Sequence, residues 1–163
     1  MLFRSGTDWL HRPKHTRLLD SNNNVVREKF LYYDDQPYGS LGARGLLTIE
    51  ESSFAGGQGD AGNPANIYHH DSFGNRDSAT DPIGCMTKTT SFDFTNTFPT
   101  AVQRCFGDPD PNLIHTTAFT YDPRLGTKTK EAGPCICSDP ITDPLSPKST
   151  FAYDGFEIGR AHV

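Results

Sequence analysis

The sequence predicts an all-β chain, an antiparallel hairpin array, and three observations carry that expectation. A phrase recurs: Thr117-Ala118-Phe119-Thr120-Tyr121-Asp122-Pro123-Arg124-Leu125-Gly126 returns as Ser149-Thr150-Phe151-Ala152-Tyr153-Asp154-Gly155-Phe156. Each copy alternates strand-forming residues up to a Tyr-Asp pair, and Gly126 stands four residues past Asp122, where a hairpin needs a residue that tolerates positive φ. The composition is the second observation. Only 34% of the 163 residues are apolar, with 15 Gly and 12 Pro, which is a loop-rich chain with a thin core. One Trp, six Tyr and eleven Phe set in alternating runs nevertheless argue for order rather than a disordered polymer. Third, no window carries an amphipathic helix pattern over three or more turns.

Degenerate copies extend the array. Tyr33-Asp34 is followed by Gly39, His70-Asp71 by Gly74, and Phe92-Asp93 by no glycine, so the aspartates are spaced by 37, 22, 29 and 32 residues. A recurrence of that order implies units that wind or stack rather than one closed globule.

Taken in order, the region 6–54 opens with a β-hairpin over 12–34. Thr16-Arg17-Leu18-Leu19 leads into Asp20-Ser21-Asn22-Asn23-Asn24, and the strand from Val25 to Tyr33 leads out. Asn and Asp tolerate left-handed geometry and bond their own backbone, which suits them to that turn. The alternation along Val25 to Tyr33 is imperfect, so the strand is better defined than its buried face. A turn-rich connection over 37–45 precedes the short strand Leu46-Leu47-Thr48-Ile49-Glu50. The stretch 55–66 (AGGQGDAGNPAN) has no apolar pattern to bury and reads as a flexible Gly-rich loop.

The array restarts over 67–156. Ile67 to Asn75 leads to Asp81-Pro82-Ile83-Gly84, a tight turn with proline pre-setting φ. Met86 to Phe94 and Phe98 to Phe106 pair across Thr95-Asn96-Thr97, and Asp108-Pro109-Asp110-Pro111 ends the hairpin because proline cannot donate to a ladder. Leu113 to Tyr121 is the next strand and Thr127 to Glu131 its partner. A Pro-rich connection over 133–147 then runs into Phe151-Ala152-Tyr153. Met1-Leu2-Phe3-Arg4-Ser5 and the segment from Glu157 to Val163 read as translations of the two orientations of a widely used sequencing-library adapter. Residues 1–5 and 157–163 are therefore expected to be non-native, and the array to be truncated.

These residues resemble the Rhs or YD-repeat family, whose units read as aromatic-x-Tyr-Asp-x-x-Gly-Arg or Gly-Asn, a Thr-rich strand and an Asp-Pro-x-Gly turn. The match rests on His70-Asp71-Ser72-Phe73-Gly74-Asn75 with Asp81-Pro82-Ile83-Gly84, on Tyr121-Asp122-Pro123-Arg124-Leu125-Gly126, and on Tyr153-Asp154-Gly155-Phe156. The order of Phe30-Leu31-Tyr32-Tyr33-Asp34, Gly45-Leu46-Leu47-Thr48, Phe98-Pro99-Thr100-Ala101-Val102 and Tyr121-Asp122-Pro123-Arg124-Leu125-Gly126 is similar to the subgroup holding the B component of insecticidal Tc toxins and SpvB-like proteins. The resemblance implies a spiralling antiparallel sheet that closes as a shell around a carboxy-terminal effector, in a bacterial protein that is secreted or at the cell surface. Its partners would be the rest of that shell, the enclosed effector, and other toxin-complex subunits or surface carbohydrate. It assigns structural roles to Tyr33, Asp34, His70, Asp71, Gly74, Phe92, Asp93, Tyr121, Asp122, Gly126, Tyr153 and Asp154. His70 and Phe92 replace Tyr, and the Asp93 unit lacks its Gly.

Other chemistries fit poorly. A net charge of −5 without a Lys/Arg run lacks the electrostatic footprint of a nucleic-acid binder, and no stretch has the roughly 20 apolar residues of a membrane span. Cys135-Ile136-Cys137, Cys85 and Cys105 lack zinc-knuckle spacing, so no metal site is expected. A bridge between Cys135 and Cys137 would be strained, and unpaired or variably paired cysteines are the expectation, with Cys85 to Cys105 open in an exported protein. Asp81 stands in a match to the family's Asp-Pro-x-Gly self-cleavage site, but further repeats follow it, so it reads as a plain turn. Asp20 to Asn24 is not an EF-hand, since Val25 stands where Gly is needed and Leu31 where the bidentate Glu belongs. His69 and His70 point to opposite strand faces and cannot share an ion in regular geometry. No enzymatic constellation and no cofactor motif is present, and the expected role is structural, with an extracellular carbohydrate-binding or cell-surface interaction module as the alternative.

Overall fold

A computed structural model describes residues 2–5, 8–53, 57–153 and 159–162, with side chains described over 12–53 and 57–153. Among these residues the chain is all-β and antiparallel, as expected, with a single 3₁₀ turn at Pro111–Leu113. It divides into two compact units, Met1–Gly84 and Cys85–Val163.

The first unit begins with a two-stranded ribbon, β1 (Leu2–Ser5) against β2 (Asp8–His11). A meander follows: β3 (His15–Leu19), β4 (Val25–Tyr33), β5 (Leu47–Ser53), β6 (Ala65–His70) and β7 (Arg76–Thr80). Each strand pairs antiparallel with the one before it. The uneven alternation in β4 has a physical reason. Phe30 and Leu31, adjacent and therefore on opposite faces, are both buried, so the strand is covered on two sides there. On one face the Phe30 ring stacks on His15 at 4.8 Å and meets Tyr38 edge-on at 5.6 Å, while Arg17 on β3 pairs with Glu28 opposite it at 2.6 Å. Such cross-strand pairs are the unit of sheet stabilisation.

The second unit is a meander of β8 (Met86–Phe92), β9 (Pro99–Arg104), β10 (His115–Tyr121), β11 (Lys128–Cys135), β12 (Lys148–Tyr153) and β13 (Gly159–His162). Successive strands again pair antiparallel. Its buried apolar centre is small: Ala118 and Ala132 face each other across β10 and β11, and Pro140 is fully buried.

Several expectations are corrected. The sequence reading did not separate β7 as a strand, because Arg76-Asp77-Ser78-Ala79-Thr80 is polar; its pairing with β6, rather than its hydrophobicity, makes it a strand. The strand after Asp122 does not stop at Glu131. It continues through Gly133 and Pro134 to Cys135, taking the start of the expected 133–147 connection into the sheet. Gly133 permits this: at φ 103° it lies so close to β10 that a Cβ would stand 2.4 Å from the Thr116 carbonyl oxygen, where the β10–β11 register shifts. The stretch 55–66 is not featureless either. Residues 65 and 66 belong to β6, and part of 57–64 is held by a buried carboxylate. Glu51, 6% exposed, accepts from Gly59 N–H at 2.7 Å, from the Asn63 side-chain amide and from the Tyr32 hydroxyl at 2.6 Å. A buried carboxylate is stable only when so bonded, and Gly59 lends it a backbone amide. Residues 54–56 lie outside the described part.

The cysteines are all paired: the Cys85 to Cys105 bridge left open by the sequence is present, and Cys135 to Cys137, expected to be too strained to form, is also closed. The first bridge closes the open end of the β8–β9 hairpin, where Phe106 N–H also bonds the Met86 carbonyl at 2.8 Å; register places the two cysteines side by side. No helix among the described residues is long and apolar enough to cross a membrane.

Candidate functional site: aspartate turns and an aromatic groove

Every residue assigned from the repeat and described in the structure lies at a strand end or in the turn that follows. Tyr33, His70, Phe92, Tyr121 and Tyr153 are the last residues of β4, β6, β8, β10 and β12. Asp154 lies outside the described residues. The aspartates act through their carboxylates. Asp71 Oδ1 accepts from Phe73 N–H and Asn75 N–H at 2.9 Å each, Oδ2 takes the Asn75 side-chain amide at 3.0 Å, and Gly74 sits at φ 96°. Asp93 accepts from Thr97 N–H at 2.7 Å, Phe98 N–H at 2.8 Å and the Thr95 hydroxyl. Asn96 at φ 53° takes the left-handed place left by the missing glycine. Asp122 accepts from Arg124 N–H at 2.8 Å, with Gly126 at φ 69°. Asp34 spans a longer turn and binds Gly45 N–H and Leu46 N–H at 2.7 and 2.8 Å.

Two further turns belong to the same set and have no Tyr. Asp20 reproduces the Asp71 turn bond for bond: Asn22 and Asn24 N–H at 2.8 Å, the Asn24 side chain at 3.0 Å, and Asn23 at φ 64° in place of Gly74. Asp81 accepts from Ile83 N–H at 3.1 Å, with Gly84 at φ 91°. A search keyed on Tyr-Asp passes over both. Both are legible as turns but not as members of the set; an aspartate three residues before Gly or Asn is the feature they share with Asp71 and Asp93.

The bonds leave an electrostatic mark. Hydrogen bonds from Thr95 and then from the Phe98 and Thr97 amides hold the Asp93 carboxyl at about 2, against 3.8 for the free group. Asn24 lowers Asp20, chiefly through its side chain. At Asp71 desolvation raises the value, but Asn75 and the turn amides outweigh it. Asp122 is lowered by the Arg124 amide above all.

Two of these turns frame an apolar recess of the second unit. The register pairs Ala118 with Ala101, and three residues further along it brings Tyr121 beside Phe98, whose rings stack at 5.0 Å. Gly126 lies under Phe98, and a Cβ there would come within 2.6 Å of the ring. Around this stack opens a groove of about 580 Å³ lined by Phe94, Phe98, Phe119, Tyr121, Pro123 and Leu125. Phe94 is 84% exposed, and Arg124 stands at the rim, 3.7 Å from the Asp122 carboxylate. Burial raises the Tyr121 phenol. The groove offers aromatic faces ringed by an exposed guanidinium, carboxylates and threonine hydroxyls. That chemistry suits stacking and hydrogen bonding, and the Asp93 and Asp122 carboxylates are engaged by their own turns.

A smaller polar recess of about 250 Å³ in the first unit is lined by Asp34, Asp35, Arg44, Tyr68, His69 and His70 among others. His69 is exposed and His70 half-buried; both line this recess, and the β6–β7 register shifts between them, so the pair departs from the regular alternation expected of the strand. Arg44 is committed to the turn next to it, donating to the Asp71 and Ser72 carbonyls at 3.2 and 3.0 Å. Tyr33 and Tyr153 each reach a neighbouring strand or its flank, donating to the Pro13 and Lys128 carbonyls at 2.6 and 2.8 Å.

In the second unit Cys135, Cys137 and Asp143 place two sulfurs and a carboxylate oxygen within 4.8 Å of one another. Cysteine spacing alone could not disclose this cluster, since its third member comes from the loop beyond. No protein-family model matches the chain, and no curated protein matches it.

Proposed function

We propose that the chain is a non-catalytic structural segment of an Rhs/YD-repeat-like β-shell in a secreted or surface-exposed toxin-related protein, with the remaining shell and an enclosed effector as its partners. The observation that carries this reading is the imbalance between an extensive strand array and a very small core. Among the described residues Phe30, Leu31, Tyr33, Ala118 and Ala132 are the buried hydrophobic side chains, whereas thirteen large hydrophobics are exposed. A sheet of that kind is suited to being covered by further chain. The aspartates support the same reading, since their carboxylates are used to hold turns. Differential scanning calorimetry with far-ultraviolet circular dichroism tests it. The reading predicts a β-rich spectrum and a broad melt in which the van't Hoff enthalpy falls below the calorimetric one; a single sharp transition with equal enthalpies would refute it.

The groove favours a second reading, an extracellular carbohydrate-binding or cell-surface interaction module. A pyranose presents a C–H face that stacks on aromatic rings and hydroxyls that bond charged side chains, and Phe94 with Arg124 provides both. Glycan-array binding that disappears in Phe94→Ala and Tyr121→Ala, with the spectrum unchanged, supports the module. Binding that survives both, or no binding at all, leaves the shell reading.

A further inference from the structure

We infer that Cys135, Cys137 and Asp143 form a redox-gated site for a thiophilic divalent metal ion, closed as the disulfide and open as the dithiol. Three observations lead there. Cys135 ends β11 and Cys137 follows two residues later, across a bend that brings the two Cα atoms to 5.3 Å and both sulfurs to one side. The Asp143 carboxylate is brought to them by backbone bonds that do not involve sulfur: Asp143 N–H to the Asp139 carbonyl at 3.1 Å, Ser146 N–H to the Asp143 carbonyl at 3.3 Å, and Leu145 N–H to Asp143 Oδ1 at 2.8 Å. A carboxylate has acceptor sites beyond that one Leu145 bond. All three residues are half-buried, so ligands are shielded from bulk water while solvent can still reach a metal.

The position of the bridge also distinguishes it from a staple. Loop closure constrains an unfolded chain more the longer the loop, and Cys135–Cys137 closes a separation of 2 residues where Cys85–Cys105 closes 20. The short bridge therefore adds little as a staple, and a carboxylate beside both sulfurs adds nothing to a purely structural disulfide. Both features serve a metal site.

The chemistry balances with an external reductant of the thiol or phosphine class. The reductant supplies two electrons and the S–S bond breaks: with two thiols, their protons pass to the cysteine sulfurs and they leave as a disulfide; with a phosphine, one water gives its oxygen to the phosphine oxide and its two protons to the sulfurs. Metal binding then releases two protons as two sulfur–metal bonds form, with Asp143 as third ligand and water in the fourth position, the arrangement of open three-ligand zinc sites. Thiolate donors favour Zn²⁺ or Cd²⁺ over Mg²⁺ and Ca²⁺, and because the thiols must lose protons the affinity falls as pH falls.

The test is a Cd²⁺ titration of the full chain, oxidised and phosphine-reduced, followed by thiolate-to-metal charge-transfer absorbance and by native mass. The expected result is one equivalent bound by the reduced protein and none by the oxidised protein. Cys85→Ser with Cys105→Ser, which removes the second dithiol that phosphine also opens, should keep the one equivalent, and adding Cys137→Ser to that variant should abolish the absorbance. Asp143→Asn should weaken binding by at least the roughly tenfold loss that removal of a supporting partner produces. Equal binding by the oxidised protein, no binding by the reduced wild type, or undiminished binding on adding Cys137→Ser or in Asp143→Asn would each overturn the site. The first two outcomes need no variant, so a variant that fails to fold does not protect the proposal.

Discussion

Aspartate is the residue that organises this chain, and the reason is local. Its carboxylate lies one methylene from the backbone and can accept the amide protons that a strand leaves unpaired when it turns. Asp20, Asp34, Asp71, Asp81, Asp93 and Asp122 do this just after β3, β4, β6, β7, β8 and β10. The Tyr-Asp phrase was legible because the tyrosines are conspicuous, but Asp20 and Asp81 show that the aromatic is optional; Leu19 and Thr80 stand in its place. A pH dependence follows. A carboxyl whose value is lowered by folding contributes stability that is present above its unfolded value, near 4, and lost as pH falls through the folded value, about 2 for Asp93. Melting temperature should therefore drop between about pH 4 and pH 2, and Asp93→Asn should flatten part of that drop, since Asp20, Asp71, Asp122 and Asp139 remain lowered. Parallel pH curves for wild type and variant would contradict the assignment. Gly126 belongs to this scale too: Gly126→Ala places a Cβ against Phe98 at φ 69°, and denaturant melts should show a loss of about 1–3 kcal/mol.

At the level of elements, the hairpins were readable and their ties were not. Turn residues sit next to the strands they join, so β3–β4 and β8–β9 could be drawn from local chemistry alone. The Cys85–Cys105 bridge, the Glu51 contacts and the extension of β11 depend on register, which sequence spacing does not display. The β8–β9 hairpin is closed at one end by Asp93 and at the other by the disulfide. Replacing Cys85 and Cys105 together by serine should cost about 3 kcal/mol, the loop-closure value for roughly 20 residues, in urea unfolding. Glu51 is the comparable tie in the first unit. Glu51→Ala should cost about 1–3 kcal/mol and speed hydrogen exchange at the Gly59 amide, while Glu51→Gln, which keeps an acceptor, should do less on both measures. An unchanged Gly59 exchange rate in Glu51→Ala would show that the loop is ordered by something else. Asp143 escaped the sequence reading for the same reason as Glu51: its meeting with Cys135 and Cys137 is made by a loop folding back.

For the whole molecule, the fold class came through because alternation, turn chemistry and the missing helix pattern agreed with one another. The candidate site did not, since a groove made by Phe94, Phe98 and Leu125 exists only once two turns are set side by side. In both compact units the strands pair with their sequence neighbours, and little apolar area is buried beyond those pairings. Such an array is close to one-dimensional: each hairpin is supported by its own turn and by the strands beside it, so stability should vary along the chain. The most direct measurement is residue-resolved native-state hydrogen exchange over a series of low denaturant concentrations. The array predicts opening free energies that differ from hairpin to hairpin and stay separate as denaturant rises, with the Cys85–Cys105 hairpin among the most protected. Amides of both units converging on a single global opening of equal free energy would contradict it.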